Sequence, residues 1–224
     1  MHRTPSWRSQ LRGYFSGTGA NPYFMNFATY DILSKALPGA VVYLALLLGK
    51  FISKPTDIGD VLTLVVIYLL GYFIDALASI TEPGLFWLMG GSPGARILTE
   101  DYKGRIFVAQ RAALCTHLQT LHPDLEIGSR KLFAVVASVA NAKGSTRLTE
   151  FQGAYAFARN ILTALVIAEI IGFVAPLSWP LLLLFAGLII LSFSRVKQRG
   201  YYWAREAANI YIDCRSVAQP KAVE

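Results

Sequence analysis

Polar residues nearly vanish from four stretches of this chain and crowd the intervals between them. The first stretch, Ile32 to Leu48, reads ILSKALPGAVVYLALLL, and the second, Val61 to Ile80, reads VLTLVVIYLLGYFIDALASI. The third runs from Tyr155 to Val174 (YAFARNILTALVIAEIIGFV) and the fourth from Leu181 to Phe193. A helix of about 20 residues rises roughly 30 Å, the thickness of a bilayer's hydrocarbon core. The pattern therefore predicts an all-α polytopic membrane protein with about four transmembrane helices. Pro38-Gly39 falls in the early turns of the first span, where neighbouring helices must satisfy the carbonyl that proline frees. The turn from Ala175 to Pro180 is short and uncharged, so spans three and four are expected to form an antiparallel hairpin.

The interval between spans two and three is long and differently patterned. Glu82-Pro83-Gly84 is expected to end the second helix, and Leu85 to Met89 to lie at headgroup level, where Trp87 is well placed. Gly90-Gly91-Ser92-Pro93-Gly94 reads as a hinge. Phe107, Leu114, Leu118 and Leu121 recur at helical spacing, as do Leu132, Val135, Val136 and Val139. These two stripes predict a helical pair that is too short to span and packs on itself or on the membrane face, with a re-entrant segment as the alternative. Beyond Ser194, Trp203, Ala207, Ile210 and Cys214 share one helical face, which predicts an amphipathic extension of the fourth span. Five segments result: 1–31, a polar N-terminal segment; 32–80, a first hairpin; 81–150, a helical region; 151–194, a second hairpin; and 195–224, an amphipathic tail.

Composition sharpens this picture. The chain has 224 residues, 54% hydrophobic and 16% charged, against about 25% charged in soluble domains. Its mean hydropathy is +0.44. The net charge of +7 comes from basic residues that flank the apolar runs, so direct nucleic-acid binding is not expected. Lysine and arginine also set the orientation. They crowd the segment before span one, the 81–150 region and the tail, while the two short connections hold only Lys50 and Lys54. Four crossings put all three basic segments on one side, predicting cytoplasmic N- and C-termini. The first 31 residues are too long and polar for a signal-peptide n-region, so the first span is expected to stay as an anchor. Cys115 and Cys214 make no disulfide framework.

Candidate chemistry is sparse. A charge at the bilayer centre costs roughly 2.5 kcal/mol or more, so intramembrane ionisable residues are functional candidates. Asp75 on span two and Arg159 on span three lie at similar depth, which predicts an interhelical ion pair. Glu169 stands nearer the outer third of span three and is a candidate ion or proton site. Asp60 reads as a helix N-cap. Arg199, Tyr201, Tyr202, Trp203 and Arg205 follow the last span as an expected membrane-interface anchor. Cys115, His117 and His122 match no usual zinc-ligand spacing, so no metal is expected. GGSPGAR lacks the Lys-Ser/Thr of a phosphate-binding loop. No catalytic signature is present, which predicts a non-enzymatic protein without a cofactor.

The run Asn26 to Gly39 (NFATYDILSKALPG), Arg159-Asn160 at the head of a later span and the basic-aromatic exit from the last one carry a resemblance. Together they look like small four-span bacterial membrane proteins, some encoded beside anti-phage defence or nucleotide-signalling genes. The resemblance implies a bacterial inner-membrane location. It also implies a sensor, effector or scaffold subunit that forms homo-oligomers and meets a cytoplasmic protein partner through 95–150 and 195–224. The competing expectation is an oligomeric channel or transporter subunit using Asp75, Arg159 and Glu169. A lipid-modifying enzyme is the third class, with no acid–base pair to support it.

Overall fold

The computed structural model describes residues 22–52, 60–99, 111–175 and 177–218. All regular structure among them is helical. We number the helices α1 (Pro22–Leu48), α2 (Asp60–Leu88), α3 (Pro93–Thr99), α4 (Arg111–Leu121), α5 (Arg130–Ala142), α6 (Thr146–Val174) and α7 (Trp179–Ala218). Phe107, placed by its spacing on a helical stripe, lies outside the described residues, as do Lys54 and Pro55.

Three boundaries depart from the apolar pattern. The break expected at Glu82-Pro83-Gly84 does not occur, and α2 continues through Pro83 to Leu88. Ser and Thr side chains bond back to carbonyls just before the proline, Ser79 to Asp75 and Thr81 to Leu77, each at 2.9 Å. Such bonds help a helix absorb a proline in an apolar setting. The stop comes instead at Gly90 and Gly91, with φ of 78° and 123°, conformations open to glycine and strained for other residues. Gly91 N–H donates to Phe86 O at 2.8 Å and Gly90 N–H to Trp87 O at 3.0 Å, the paired bonds of a glycine C-cap. Upstream, α6 starts at Thr146, well before the apolar run at Tyr155. Finally, span four and its tail form one unbroken helix of 40 residues, about 60 Å long.

Burial divides the molecule in two. Around α1, α2, α6 and the first half of α7, large apolar side chains point outward: Val61 is 75% exposed, Phe73 73% and Ile190 71%. Outward apolar faces on paired long helices suit lipid, not water. Three helical stretches are long and apolar enough to cross a membrane, Asp60–Thr99, Thr146–Val174 and Trp179–Cys214, whereas the Ile32–Leu48 run of α1 is shorter. α1 nevertheless packs on both α2 and α6. Its approach to α2 is backbone to backbone. A Cβ on Gly39 would sit 1.9 Å from the Ile67 carbonyl oxygen, and one on Gly71 would sit 1.9 Å from that of Lys35. Small residues at such crossings supply the van der Waals contact that replaces hydrophobic driving force in lipid.

At the other end a water-type core forms. Leu98 of α3, Leu118 of α4, Leu132 and Val136 of α5 and Tyr211 of α7 are each at most 2% exposed and belong to one cluster. The two predicted stripes thus do not pair mainly with each other; they gather on the second half of α7, whose Ala204, Ala207 and Ala208 are fully covered. We call α3–α5 with this part of α7 the cap. Ser129 caps α5, its hydroxyl accepting from Leu132 N–H at 3.1 Å.

Because Gly71 touches backbone that cannot move aside, Gly71→Leu is expected to destabilise the α1–α2 pair by at least about 1–3 kcal/mol, the usual range for overpacking. Thermal unfolding in detergent, compared with Gly84→Leu at an open position, measures the difference; equal melting points contradict the close crossing.

Candidate functional site

Where α1, α2 and α6 meet, the apolar bundle holds a partly buried polar cluster, with Ser79 at its exposed edge. Asp75, Ser79 and Glu82 recur at i, i+4 and i+7 along α2, so one helical face carries all three. Tyr155, Arg159 and Asn160 present the matching face of α6, and Lys35 comes from α1 one turn before Pro38. Asp75 is the centre. One carboxylate oxygen, Oδ2, takes the Lys35 ammonium. The other, Oδ1, accepts from Asn160 Nδ2 at 2.9 Å and from Arg159 Nη2 at 3.2 Å. The guanidinium also donates to Ser79 Oγ at 3.1 Å and meets Glu82 Oε1 at 3.4 Å. Tyr155 OH closes the chain, donating to the same Glu82 oxygen at 2.7 Å.

The formal charges cancel: Lys35 and Arg159 against Asp75 and Glu82. Neutrality matters here, since an isolated ion transferred out of water costs several kcal/mol even after relaxation. Both cations have side chains only 12% exposed, and Asn160 is fully buried. Asn160 Nδ2 also reaches the Ser34 carbonyl at 3.5 Å, so α6 is tied to α1 as well as α2. Lys35 lies over the Tyr72 ring at 5.4 Å, a cation–π contact that offsets part of its lost hydration.

Below the cluster a cleft of about 600 Å³ runs between α5 and α6, within the usual range for small-molecule sites. Glu82, Arg159 and Phe86 line the end nearer the apolar bundle, and Trp203 and Gly200 of α7 contribute to its lining. Trp203 stacks on Tyr155 (6.5 Å, 16°) and meets Phe133 edge-on at 5.6 Å. Arg130 lies over Phe86 at 4.8 Å.

The remaining sequence candidates fall elsewhere. Glu169 is half-buried about 15 Å further along α6 from Arg159; its Oε2 is enclosed and has no hydrogen-bond partner among the described residues. Asp60 sits in the first turn of α2. Of the expected interface anchor, Tyr201 is 3% exposed inside the cap core and Trp203 packs against that core. Those two rings are held by protein because α3 and α5 close over this face of α7, which the apolar stripe alone did not reveal. Arg199, Tyr202 and Arg205 stay partly exposed, with Arg205 over the Tyr202 ring at 5.4 Å. Cys115 donates its thiol to Leu98 O at 3.3 Å, while His117 faces Tyr211 with ring centroids 6.3 Å apart. No grouping of three or more metal-ligating side chains occurs among the described residues.

Two outcomes follow from this geometry. Asp75→Ala leaves two buried cations and Asn160 facing a void, so it is expected to cost about 3–5 kcal/mol, as for other broken buried pairs. Lys35→Met, which leaves Asp75 with Arg159, costs less; detergent melting curves rank the two, and a larger loss for Lys35→Met refutes the central role of Asp75. Burial pushes the Cys115 thiol above its ordinary range, with Arg111 opposing weakly. Since the thiolate is the reactive form, alkylation of Cys115 in the folded protein is expected to remain slower than in the unfolded chain at pH 8, and to accelerate only as pH rises further. Mass spectrometry of labelled peptides reports both rates; equal rates remove the burial argument.

Sequence reasoning overlooked Lys35, Glu82, Asn160 and Tyr155. A usable signal existed in the spacing of Asp75, Ser79 and Glu82, which puts three polar side chains on one face of an otherwise apolar helix. No protein-family model, curated protein or solved structure matches this chain, so the site rests on its own chemistry.

Proposed function

We propose that this chain is a non-enzymatic sensor or effector subunit of a bacterial inner membrane. In this reading it crosses the bilayer four times, with α1 as the short fourth crossing, and keeps both ends and the cap in the cytoplasm. It assembles with copies of itself and receives a cytoplasmic protein partner on 95–150 and 195–224; an anti-phage defence setting is what the sequence resemblance implies. The observation that carries the reading is α7. One uninterrupted helix runs from the lipid-type bundle into the centre of the cap core, so an event at the cap is passed to the spans by a rigid element and not through a linker. The basic side chains gathered at the cap end favour the cytoplasmic side.

A second reading, an oligomeric channel or transporter subunit, draws on Glu169, whose enclosed oxygen lacks a partner among the described residues. Asp75 and Arg159 favour it less, because their charges are already neutralised within the cluster.

Mass measurement of the protein extracted in mild detergent decides between assembly and a lone subunit; a multimer is expected, and a strict monomer overturns the proposal. Ser194→Pro should uncouple the two halves, since an interior proline costs a helix about 3 kcal/mol. The expected result is faster proteolysis of the cap with membrane integration unchanged; unchanged proteolysis contradicts coupling through α7. Cation flux into liposomes that disappears in Glu169→Gln would instead establish the channel reading.

A further inference from the structure

We infer that a second copy of this chain docks against the outer half of α6, held there by a hydrogen bond from the Glu169 carboxyl. This deepens the reading of a self-assembling subunit that spans a bilayer, and rests on it. Three observations lead to the contact. The first is a missing partner. Within the apolar runs the chain pairs its other acidic and basic side chains internally, since Lys35 and Arg159 both meet Asp75. Glu169 has no hydrogen bond or ion pair among the described residues, and its Oε2 is enclosed. Hydrocarbon offers neither donor nor acceptor, so the group that completes Glu169 at this depth comes from another polypeptide.

The second is where the carboxyl stands. Val166, Ile170 and Phe173 recur at i, i+4 and i+7, one ridge of α6 at helical spacing, and are 40%, 58% and 64% exposed. On the side facing the bundle, Leu165 and Ala168 are buried and Gly172 lies against Leu182 of α7. Glu169 falls between these two faces. It is partly covered, and only one of its oxygens is enclosed. The other, Oε1, borders an apolar ridge that no described helix of the same chain covers. Close packing along such a ridge, with a polar group bonding across the helices beside it, is how spans associate in lipid.

The third is the chemistry of the group itself. An ionised carboxylate is expensive inside a bilayer, whereas the acid form carries an O–H donor together with acceptor oxygens. A carboxylic acid is therefore complementary to a copy of itself, as an ammonium or guanidinium is not. Copies inserted the same way hold Glu169 at the same depth, about 15 Å along α6 from Arg159. Two α6 helices packed through the ridge thus bring the two acids level without adjustment. One Glu169 donates its O–H to the open oxygen of the other. The enclosed oxygens stay as acceptors, which are tolerated unpaired better than donors are. An unrelated span would have to carry a matching group at that level, and a lipid chain carries none, so the occupant is a second copy.

The test is sedimentation equilibrium of the full-length protein in mild detergent. Wild type and Glu169→Gln are expected to associate equally, since an amide also donates and accepts. Glu169→Leu keeps the bulk and loses the hydrogen bond, and is expected to dissociate about tenfold more readily. Unchanged association in Glu169→Leu overturns the contact. A second measurement is independent of how that variant folds. With Cys115→Ser and Cys214→Ser in place, Ile170→Cys is expected to cross-link to its counterpart when membranes are oxidised, and Phe73→Cys, also exposed but on α2, is not. No cross-link at Ile170, or an equal one at Phe73, overturns the contact as well. The two levels of failure are separable. A multimer that is indifferent to Glu169→Leu rejects this contact alone, whereas wild-type protein that sediments as a single chain rejects self-assembly itself.

Discussion

Asp75 is the one group that three helices need at once. Its two oxygens collect the ammonium of Lys35 from α1, and the guanidinium of Arg159 and the amide of Asn160 from α6. In water such contacts would be worth little, because exposed ion pairs gain a kcal/mol or less. Inside an apolar bundle the comparison changes. The alternative to the contact is an unpaired charge in a medium that cannot solvate it, so the penalty for misplacing any one helix is large even if the net gain of pairing is small. The cluster therefore specifies which helices adjoin and at what register more than it adds stability. The Gly39–Gly71 crossing acts in the same sense, since it sets the Lys35 backbone directly against α2.

Fixing that register has a consequence for the cap. α6 and α7 both pass from the bundle into the cap region, and α7 alone supplies Tyr201, Ala204, Ala207, Ala208 and Tyr211 to its core. The cap is thus built on helices whose other ends are held by the ionic cluster and by lipid-type packing. Arg147 on α6, itself exposed, and the largely covered Glu206 on α7 stand 3.5 Å apart and add a tie between the two helices. Within the cap, Pro93 of α3 lies close against α7: a Cβ on Gly200 would meet the proline ring at 2.8 Å. Bundle and cap are thus joined through the continuous helices α6 and α7, although they use opposite rules of burial.

That mixture explains what was legible in the residues and what was not. Apolar runs identify helices wherever the surroundings are lipid, and Leu132, Val136, Leu114 and Leu118 declare the cap helices by spacing alone. Depth along neighbouring runs places Asp75 beside Arg159. The extent of α2 was hidden because proline at residue 83 is a strong stop in water and a weak one where Ser79 and Thr81 bond back to the chain. The destination of Tyr201 and Trp203 was hidden for a different reason. A basic-aromatic stretch after a span looks the same whether its rings meet headgroups or another helix, and only the fold of α3 and α5 over α7 decides. Lys35 was masked by its place near a membrane edge, where lysines commonly snorkel to water.

Arg130, over the Phe86 ring, stands just beyond a cluster that is already neutral. Glu82 cannot serve it without abandoning Arg159 and Tyr155, both of which it already holds. Since the cleft is walled by α5 of the cap and α6 of the bundle, and lined by α7, whatever fills it touches all three. Occupancy would favour one spacing of cap and bundle over others to the extent that it binds them differently. A ligand in that position would act on bundle and cap together.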